Sequence, residues 1–229
     1  MRDDILSYRE MCDRERAQTL QRGMNYRITS GYSVVLMSRR PNAPYRDRIL
    51  EDGETIEYEG HDVPRVRTNV DPKTVDQPRL LPSGQPTQNG LFADAVDLWH
   101  RGERQPELVH VYEKIFPGVW SDKGAFSLTD YKVVPDGKRN VFRFYLKAAS
   151  EAVVEGGLVD PTPVRRLIPA EVKKEVWKRD KGRCVLCGAT DNLHFDHDIP
   201  WSKGGTSIIP ENVRILCARH NIEKRDKIE

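Results

Sequence analysis

Hydrophobic and polar residues along the first 150 positions follow patterns that predict several short strands. Ser33–Met37 is a largely apolar run typical of a buried strand, whereas Glu54–Tyr58 alternates polar and apolar residues as a half-exposed strand does. Two further strands are predicted at Leu108–Tyr112 and Val141–Leu146, and turn signals such as Asp52-Gly53 separate strands of this kind. This region is therefore expected to be rich in β-structure.

Apolar residues recur at helical spacing in three places. Asp3–Arg22 is highly charged with loosely helical apolar spacing, which predicts a surface helix ending near Gly23. Gly90–Arg101 has apolar residues at i, i+3 and i+4, and Ala170–Asp180 predicts a short helix. Short strands with one internal helix favour a curved β-sheet or barrel with appended helices, and hence an α+β fold.

Glycine and proline mark the main boundary in the chain. The stretch from Gly156 to Pro169 includes prolines at 161, 163 and 169, a composition typical of a linker. We therefore divide the chain into a helical segment at 1–30, a β-rich domain at 31–150, a linker at 151–169 and a small domain at 170–229.

Composition limits the class of protein. With 229 residues, 38% of them hydrophobic and 31% charged, the chain suits a soluble globular protein with a real core. The net charge of +2 means that any nucleic-acid surface must be local. No apolar run is long enough to cross a bilayer and the amino terminus lacks a signal-peptide core, so we expect a cytoplasmic protein without a membrane partner.

Three of the four cysteines fall in the last quarter of the chain, which favours a metal site over disulfides. Cys184 and Cys187 form a C-x2-C pair on a predicted turn ending in Gly188, and Cys217 and His220 form a C-x2-H pair at a predicted helix start. Tetrahedral zinc prefers such ligands, and one ion would join the two ends of a segment too small to bury much core. The spacing argues against the alternative of unligated buried cysteines.

The residues between and after these pairs resemble the HNH endonuclease family, whose ββα-metal motif is long and ordered. The resemblance covers about residues 171–229. Its motifs here are Asp196-His197-Asp198-Ile199-Pro200, then Ser202-Lys203-Gly204-Gly205, then Glu211-Asn212, then the run from Leu216 to Lys224.

This resemblance implies a role for each matching residue. His197 would be the general base, and its ordinary pKa suits that task. Asp196 and Asn221 would bind a catalytic divalent cation, Mg²⁺ or Mn²⁺, and Asn212 would brace the loop and orient the base. His220 stands where relatives commonly have cysteine; we assign it to zinc, and the alternative makes it catalytic and leaves zinc with three ligands.

Basic residues of the same segment are candidates for phosphate contacts, although scattered Lys and Arg are usually only a solvated face. They are Lys203, Arg214, Arg219, Lys224 and Arg225.

The amino-terminal region contains an ordered set of short segments rich in aromatic, acidic and glycine residues. They are Tyr45-Arg46-Asp47, Glu51-Asp52-Gly53, Tyr58-Glu59-Gly60, Gln88-Asn89-Gly90, Trp99-His100-Arg101-Gly102, Val109-His110-Val111-Tyr112, the run from Gly124 to Val133, and Phe142–Leu146. In this order they resemble the SRA (YDG) family, a PUA-like β-barrel that binds modified cytosine by flipping it out of DNA. The resemblance covers about residues 30–148 and rests on order and spacing more than on identity.

The SRA resemblance implies a base pocket. Tyr45 and Tyr58 match the positions that stack on the flipped base, and Asp47 would accept hydrogen bonds from the cytosine N4 amine. Glu59 stands beside the pocket where the family commonly has threonine, and the YDG signature itself is absent. Alternatively, Tyr45 and Tyr58 are ordinary strand aromatics.

Together the two resemblances point to type IV modification-dependent restriction endonucleases. We expect a prokaryotic enzyme that flips 5-methyl- or 5-hydroxymethylcytosine in double-stranded DNA and hydrolyses nearby phosphodiesters. One active site per chain favours a homodimer, and sequential nicking is the alternative. The alternatives are an HNH nuclease that recognises unmodified sequence or DNA structure, and a non-catalytic reader of modified DNA.

Overall fold

The computed structural model describes residues 3–20, 23–28, 31–63, 70–149, 168–200 and 203–224, which contain ten strands and four α-helices. Most of the predicted linker, residues 151–167, lies outside them. The strands are β1 Asp3–Ser7, β2 Met24–Asn25, β3 Ser33–Met37, β4 Arg48–Ile49, β5 Thr55–Glu59, β6 Glu107–Phe116, β7 Val119–Pro135, β8 Asn140–Ala148, β9 Leu193–His197 and β10 Val213–Cys217. The helices are α1 Tyr8–Arg14, α2 Gln88–His100, α3 Ala170–Arg179 and α4 Ala218–Lys224.

These elements confirm the predicted α+β class, the four strands predicted before residue 150, and the helices predicted near 90–101 and 170–180. None of the helices in the described ranges has the length and apolar character that crossing a bilayer requires.

The strands form one sheet that branches at β7. Its main path runs β10-β9-β1-β7-β6-β3-β2, and β8, β5 and β4 continue from the second half of β7. β6 pairs with one edge of β7, while β1 and β8 follow each other along the other edge. β3 and β6 are parallel, and the remaining pairs are antiparallel. This branching lets the sheet curve around α2.

The main core lies between α2 and the two branches of the sheet. Phe92, Ala93 and Val96 on α2 are each at most 1% exposed and belong to one cluster with residues of β3, β5, β6, β7 and β8. The Thr87 hydroxyl caps the helix by accepting a hydrogen bond from the Gly90 backbone N–H at 3.1 Å. A Cβ at Gly90 would lie 2.2 Å from a backbone oxygen, so this helix start requires glycine.

The predicted helix over Asp3–Arg22 is wrong in extent. Asp3–Ser7 forms β1, and the helix that follows, α1, has only seven residues. Ser7 ends the strand because its hydroxyl accepts from the Glu10 N–H while the Glu10 carboxylate accepts from the Ser7 N–H, a complete capping box. Loosely helical apolar spacing therefore misled the prediction, although the capping signature was present in the sequence.

β1 joins the two parts of the chain. Asp3 and Asp4 pair with β9, whereas Ile5, Leu6 and Ser7 pair with β7. Neighbouring side chains of a strand point to opposite faces. Ile5 packs against the carboxy-terminal core and Leu6 lies in the core beneath α1. One short strand therefore contributes a side chain to each of two cores.

A buried charge network holds α1 and the turn after it against the sheet. The His110 ring lies with Nδ1 2.8 Å from Glu15 Oε1 and Nε2 2.7 Å from Asp122 Oδ1. The Tyr112 hydroxyl donates to Glu15, and Arg14 pairs with Asp122. Burial alone would lower the pKa of His110, but the Asp122 and Glu15 carboxylates outweigh it and raise that pKa to about 9.

His110→Gln should therefore change the pH dependence of stability. Because the pKa of His110 is higher in the folded than in the unfolded protein, protonated His110 stabilises the folded state fully below about pH 6.5. This stabilisation is lost as pH rises toward 9. The difference in unfolding free energy between wild type and His110→Gln, measured by urea denaturation, should shrink by about 3 kcal/mol across that window. His100→Gln, at an exposed histidine, serves as the control. A pH-independent difference for His110→Gln would contradict the assignment.

Candidate functional site

The four predicted zinc ligands lie together at one end of the β9–β10 pair. Cys184 and Cys187 lie on the turn after α3, where Gly188 has a φ of +74° and donates its N–H to the Cys184 carbonyl. This left-handed conformation favours glycine. Cys217 is the last residue of β10, and His220 lies in the first turn of α4.

The donor atoms fit a tetrahedral zinc ion. All four lie within 4.8 Å of one another, with Cys187 Sγ 3.8 Å from Cys217 Sγ. His220 Nδ1 lies 3.4 Å from Cys184 Sγ and 3.3 Å from Cys217 Sγ. Zinc–sulfur bonds of about 2.3 Å in a tetrahedron separate two sulfurs by about 3.8 Å. The geometry thus groups His220 with the cysteines, as expected of a zinc ligand.

The Cys184 thiol suits this role electrostatically. Burial alone would raise its pKa, but hydrogen bonds from backbone N–H groups, those of Cys217 and Leu186 foremost, lower it to about 6. Zinc binds the thiolate, so the fold presents Cys184 near neutral pH in the form that coordinates metal.

His197 is the last residue of β9, where the strand enters the loop that leads to β10. Its Nε2 lies 2.9 Å from the hydroxyl of Ser207, a side chain only 1% exposed. The ring itself is half-buried, which leaves part of it accessible to a substrate. Its partner Ser207 was not predicted from the sequence, because nothing in the spacing marks a serine ten residues away.

Asn212 braces the loop around His197. Its Oδ1 accepts from the Ile199 N–H at 2.8 Å, and its Nδ2 donates to the carbonyls of Thr206 at 2.8 Å and Ile199 at 3.2 Å. A Cβ at Gly205 would lie 1.8 Å from the Ile199 carbonyl oxygen, so the second glycine of the Lys-Gly-Gly run permits this close approach. The contacts are those a bracing residue would make.

Asp196 precedes His197 and faces α4. The Lys224 side chain, 2% exposed, donates to Asp196 Oδ2 at 2.6 Å and also to the carbonyl oxygen of His197. Asn221 lies three residues before Lys224, and so on the same face of the helix. The prediction that Lys224 contacts phosphate is therefore wrong, because its ammonium is buried against the site.

Asp196 and Asn221 supply a carboxylate and an amide oxygen, the hard donors that Mg²⁺ and Mn²⁺ take. Magnesium is commonly held by one or two carboxylates, with waters and substrate phosphates completing its coordination. The residues present fit such an ion. Their assignment as its ligands stays a prediction.

The other candidate phosphate contacts differ in their surroundings. Arg214 Nε lies 2.7 Å from Asp198 Oδ1, and the Arg214 side chain is 14% exposed, so this group is engaged within the protein. Lys203 and Arg219 are exposed. Arg225 lies outside the described residues.

Three of the four predicted base-pocket residues line one cavity of about 420 Å³: Tyr45, Asp47 and Tyr58. The ring of His61 stacks on Tyr45 with centroids 5.2 Å apart and planes 10° apart, and the Tyr58 hydroxyl lies 3.3 Å from His61 Nε2. The Asn89 amide bonds both the N–H and the carbonyl of His61, and so anchors its backbone. His61 was not predicted as part of this site.

The Asp47 carboxyl is held in one orientation. Its Oδ2 accepts from the Ser38 N–H at 2.9 Å, and its Oδ1 accepts from the Glu59 N–H at 3.1 Å. Burial raises the pKa of Asp47 to about 7. Near neutral pH this group therefore exists in both forms, and it is able to accept from an amine or donate to a ring nitrogen.

Glu59 does not join that cavity, contrary to the expectation. It follows Tyr58 on β5, so its side chain points to the opposite face of the sheet. There it pairs with Arg143 at 3.0 Å and accepts from the Arg46 N–H at 2.9 Å, and it lines a separate cavity of about 240 Å³.

The far wall of the larger cavity comes from distant parts of the chain. Tyr8 and Leu20 of the amino-terminal segment line it, together with Lys114 and Trp120. No spacing rule joins these positions, since only the pairing of β1, β6 and β7 brings them together.

Substitutions at His220 should separate its two possible roles. His220→Cys keeps a zinc ligand and should retain one zinc per chain, whereas His220→Ala should lower zinc affinity by more than about tenfold, since losing even a ligand's hydrogen-bond partner costs about that much. Zinc released to a colorimetric chelator measures both. Wild-type zinc affinity in His220→Ala would show that His220 is not a ligand.

Comparisons with known proteins bear on both regions. Residues 184–227 match the model of the HNH endonuclease family. The modification-dependent restriction endonuclease TagI has a TM-score of 0.42 and 20% identity, over 95% of this chain and 74% of its own. The SUVH5 SRA domain bound to fully hydroxymethylated CG DNA has a TM-score of 0.44 and 16% identity, and the match covers 71% of this chain and 93% of that domain. Arabidopsis thaliana SUVH6 in complex with SAM has a TM-score of 0.43 and 19% identity, and the match covers 76% of this chain and 28% of SUVH6.

A comparison with curated proteins found no match to the chain. The matched family segment spans the Cys3His cluster together with Asp196, His197, Asn212 and Asn221. The carboxy-terminal part of this chain, residues 184–227, is therefore similar to HNH endonucleases.

Proposed function

We propose that this chain is a modification-dependent DNA endonuclease. The β-rich region captures a flipped cytosine that carries a 5-methyl or 5-hydroxymethyl group, and the HNH module hydrolyses a nearby phosphodiester. The observation that carries the proposal is the presence, in one continuous sheet, of an HNH site and of a cavity lined by two tyrosines and a buried carboxyl.

In the hydrolytic step, His197 accepts a proton from a water molecule as the water oxygen bonds to phosphorus and the bond to the 3′ oxygen breaks. Ser207 and the loop braced by Asn212 hold the imidazole in place. Asp196 and Asn221 would hold the divalent cation, which would supply positive charge to the reacting phosphate. Lys224 keeps the Asp196 carboxylate oriented.

Base capture requires flat hydrophobic walls and a polar group at the Watson–Crick edge. Tyr45 and Tyr58 offer the aromatic surface, and Asp47 offers a carboxyl that accepts from the N4 amine and, when protonated, donates to N3. The cavity of about 420 Å³ has room for a base with a 5-substituent. The His61 ring stacks on Tyr45 and supports it.

The biological setting is part of the same proposal. We propose double-stranded DNA with modified cytosine as the partner, a type IV restriction role in a prokaryotic cytoplasm, and a homodimer. A dimer would bring two HNH sites to the two strands, although sequential nicking by one site would give the same break.

A cleavage panel tests the proposed activity. Duplexes that differ only at cytosine C5 (unmodified, 5-methyl, 5-hydroxymethyl) are digested with Mg²⁺ or Mn²⁺. We expect cutting only of modified DNA. Equal cutting of all three would favour a nuclease that recognises sequence or structure, and binding without cutting would favour a reader.

His197→Ala should bind modified DNA as wild type does and cut it roughly 10²- to 10⁴-fold more slowly, since that is the usual contribution of a general base. His100→Ala, an exposed histidine far along the chain, is the matched control. Binding is measured by gel shift and cutting by single-turnover kinetics. Wild-type cutting by His197→Ala would refute the assignment of the base.

Tyr45→Ala should weaken binding of modified DNA roughly 5- to 150-fold, because stacking on an aromatic ring contributes about 1–3 kcal/mol per base. Tyr145→Ala removes the same atoms on β8, outside the cavity, and should have little effect. The affinity for modified and unmodified duplexes is compared by fluorescence anisotropy. Equal losses on both duplexes would mean that Tyr45 does not read the modified base.

A further inference from the structure

The HNH module is joined to the β-rich region by β-sheet pairing. Asp4 of β1 pairs with His194 of β9, and Ile5 pairs with Ser121 of β7. The Asp4 carboxylate lies 2.7 Å from His194 Nδ1 and 3.1 Å from Arg14, which itself reaches Asp122 on β7. Backbone pairing and side-chain charges thus cross the same junction.

A second junction lies beside the first, where α3 meets β7. Lys173 on α3 is fully buried, and its Nζ donates to the Ser121 hydroxyl at 2.7 Å. The same ammonium lies 5.5 Å from the ring centroid of Phe195 on β9. One side chain therefore contacts a strand of each region.

A buried anion balances these cations. Glu113 on β6 is fully buried, 3.0 Å from Lys123 and 2.9 Å from Arg39. Lys123 also donates to the Ile168 carbonyl, just before α3 begins. Burial alone would raise the pKa of Glu113, but Lys123, Arg39 and Lys173 outweigh it and lower the pKa to about 2. If the HNH module slid relative to the β-rich region, these buried charged groups would lose their partners. A buried charge without a partner is strongly unfavourable, so the contacts oppose such a shift.

We propose that β1 and the Lys173 junction hold the HNH site at one set distance from the base cavity, so that the sheet and not the connecting segment determines where DNA is cut. This inference rests on the proposed function for its consequence in DNA, but not for the fixed geometry itself. Cut positions should then cluster at one or two phosphodiesters per strand at a constant distance from the modified cytosine.

Inserting ten Gly/Ser residues between Gly156 and Gly157 distinguishes a distance set by the sheet from a distance set by the connecting segment. If the connecting segment set the distance, lengthening it from about 18 to about 28 residues would raise its root-mean-square reach from about 23 Å to about 29 Å, or by about two base pairs, and would spread the cuts outward. We expect cut positions identical to wild type at nucleotide resolution on a duplex with one modified cytosine. A shift or spread of about two base pairs would overturn the proposal.

Breaking β1 should have the opposite effect. Asp4→Pro removes the carboxylate and disrupts the pairing of β1 with β9, but not that of Ile5–Ser7 with β7. It should spread the cuts over several base pairs while one zinc per chain and modified-DNA binding remain. Arg9→Ala, 92% exposed on α1, is the control and should cut as wild type does. Unchanged cut positions in Asp4→Pro would overturn the role of β1.

A distance measurement tests the geometry without cleavage. Spin labels at Lys138→Cys and Glu175→Cys, both exposed and on either side of the junction, should give one narrow distance distribution that the Gly/Ser insertion leaves unchanged. A broad distribution would overturn the fixed geometry even if modified DNA is cut. A narrow distribution in a protein that cuts no modified DNA would support the geometry and refute only the proposed function.

Discussion

The pairing of β1 with two strands from different regions is the interaction on which both candidate sites depend. A five-residue strand has little stability alone, but one half of β1 pairs with β9 and the other with β7, and its neighbouring side chains, Ile5 and Leu6, pack in two different cores. The same pairing brings Trp120 and the amino-terminal segment to the wall of the base cavity. The two candidate sites thus share one structural support.

Buried charges give this arrangement its precision. Apolar contacts tolerate small shifts, whereas a buried ammonium or carboxylate requires its partner within hydrogen-bonding distance. Lys173 at the junction, Lys224 beside Asp196, and His110 beneath α1 each meet this requirement in a different place. In each case a charge that is costly to bury specifies one position of the element that carries it.

Much of the local structure was predictable, and the reasons are short-range. The strand at Ser33–Met37 and the helices α2 and α3 follow hydrophobic periodicity, which is a local property. The error at the amino terminus also has a local cause. The charged segment has apolar residues at nearly helical spacing, whereas the capping box at Ser7 and Glu10 marks the true helix start. The roles of His197 and its neighbours came from a resemblance, and the structure adds Ser207 and Lys224 as their contacts.

The sequence by itself determined each half of the Cys3His cluster, because two ligands with two residues between them, on a turn or at a helix start, are brought together by local backbone geometry. It also determined the residue types available for a base pocket. Only the tertiary structure decided that Tyr58 faces the cavity while Glu59 faces away, since strand register sets which face is buried. It alone placed β1 between β9 and β7, because strand pairing joins residues far apart in sequence and no local pattern encodes the partner.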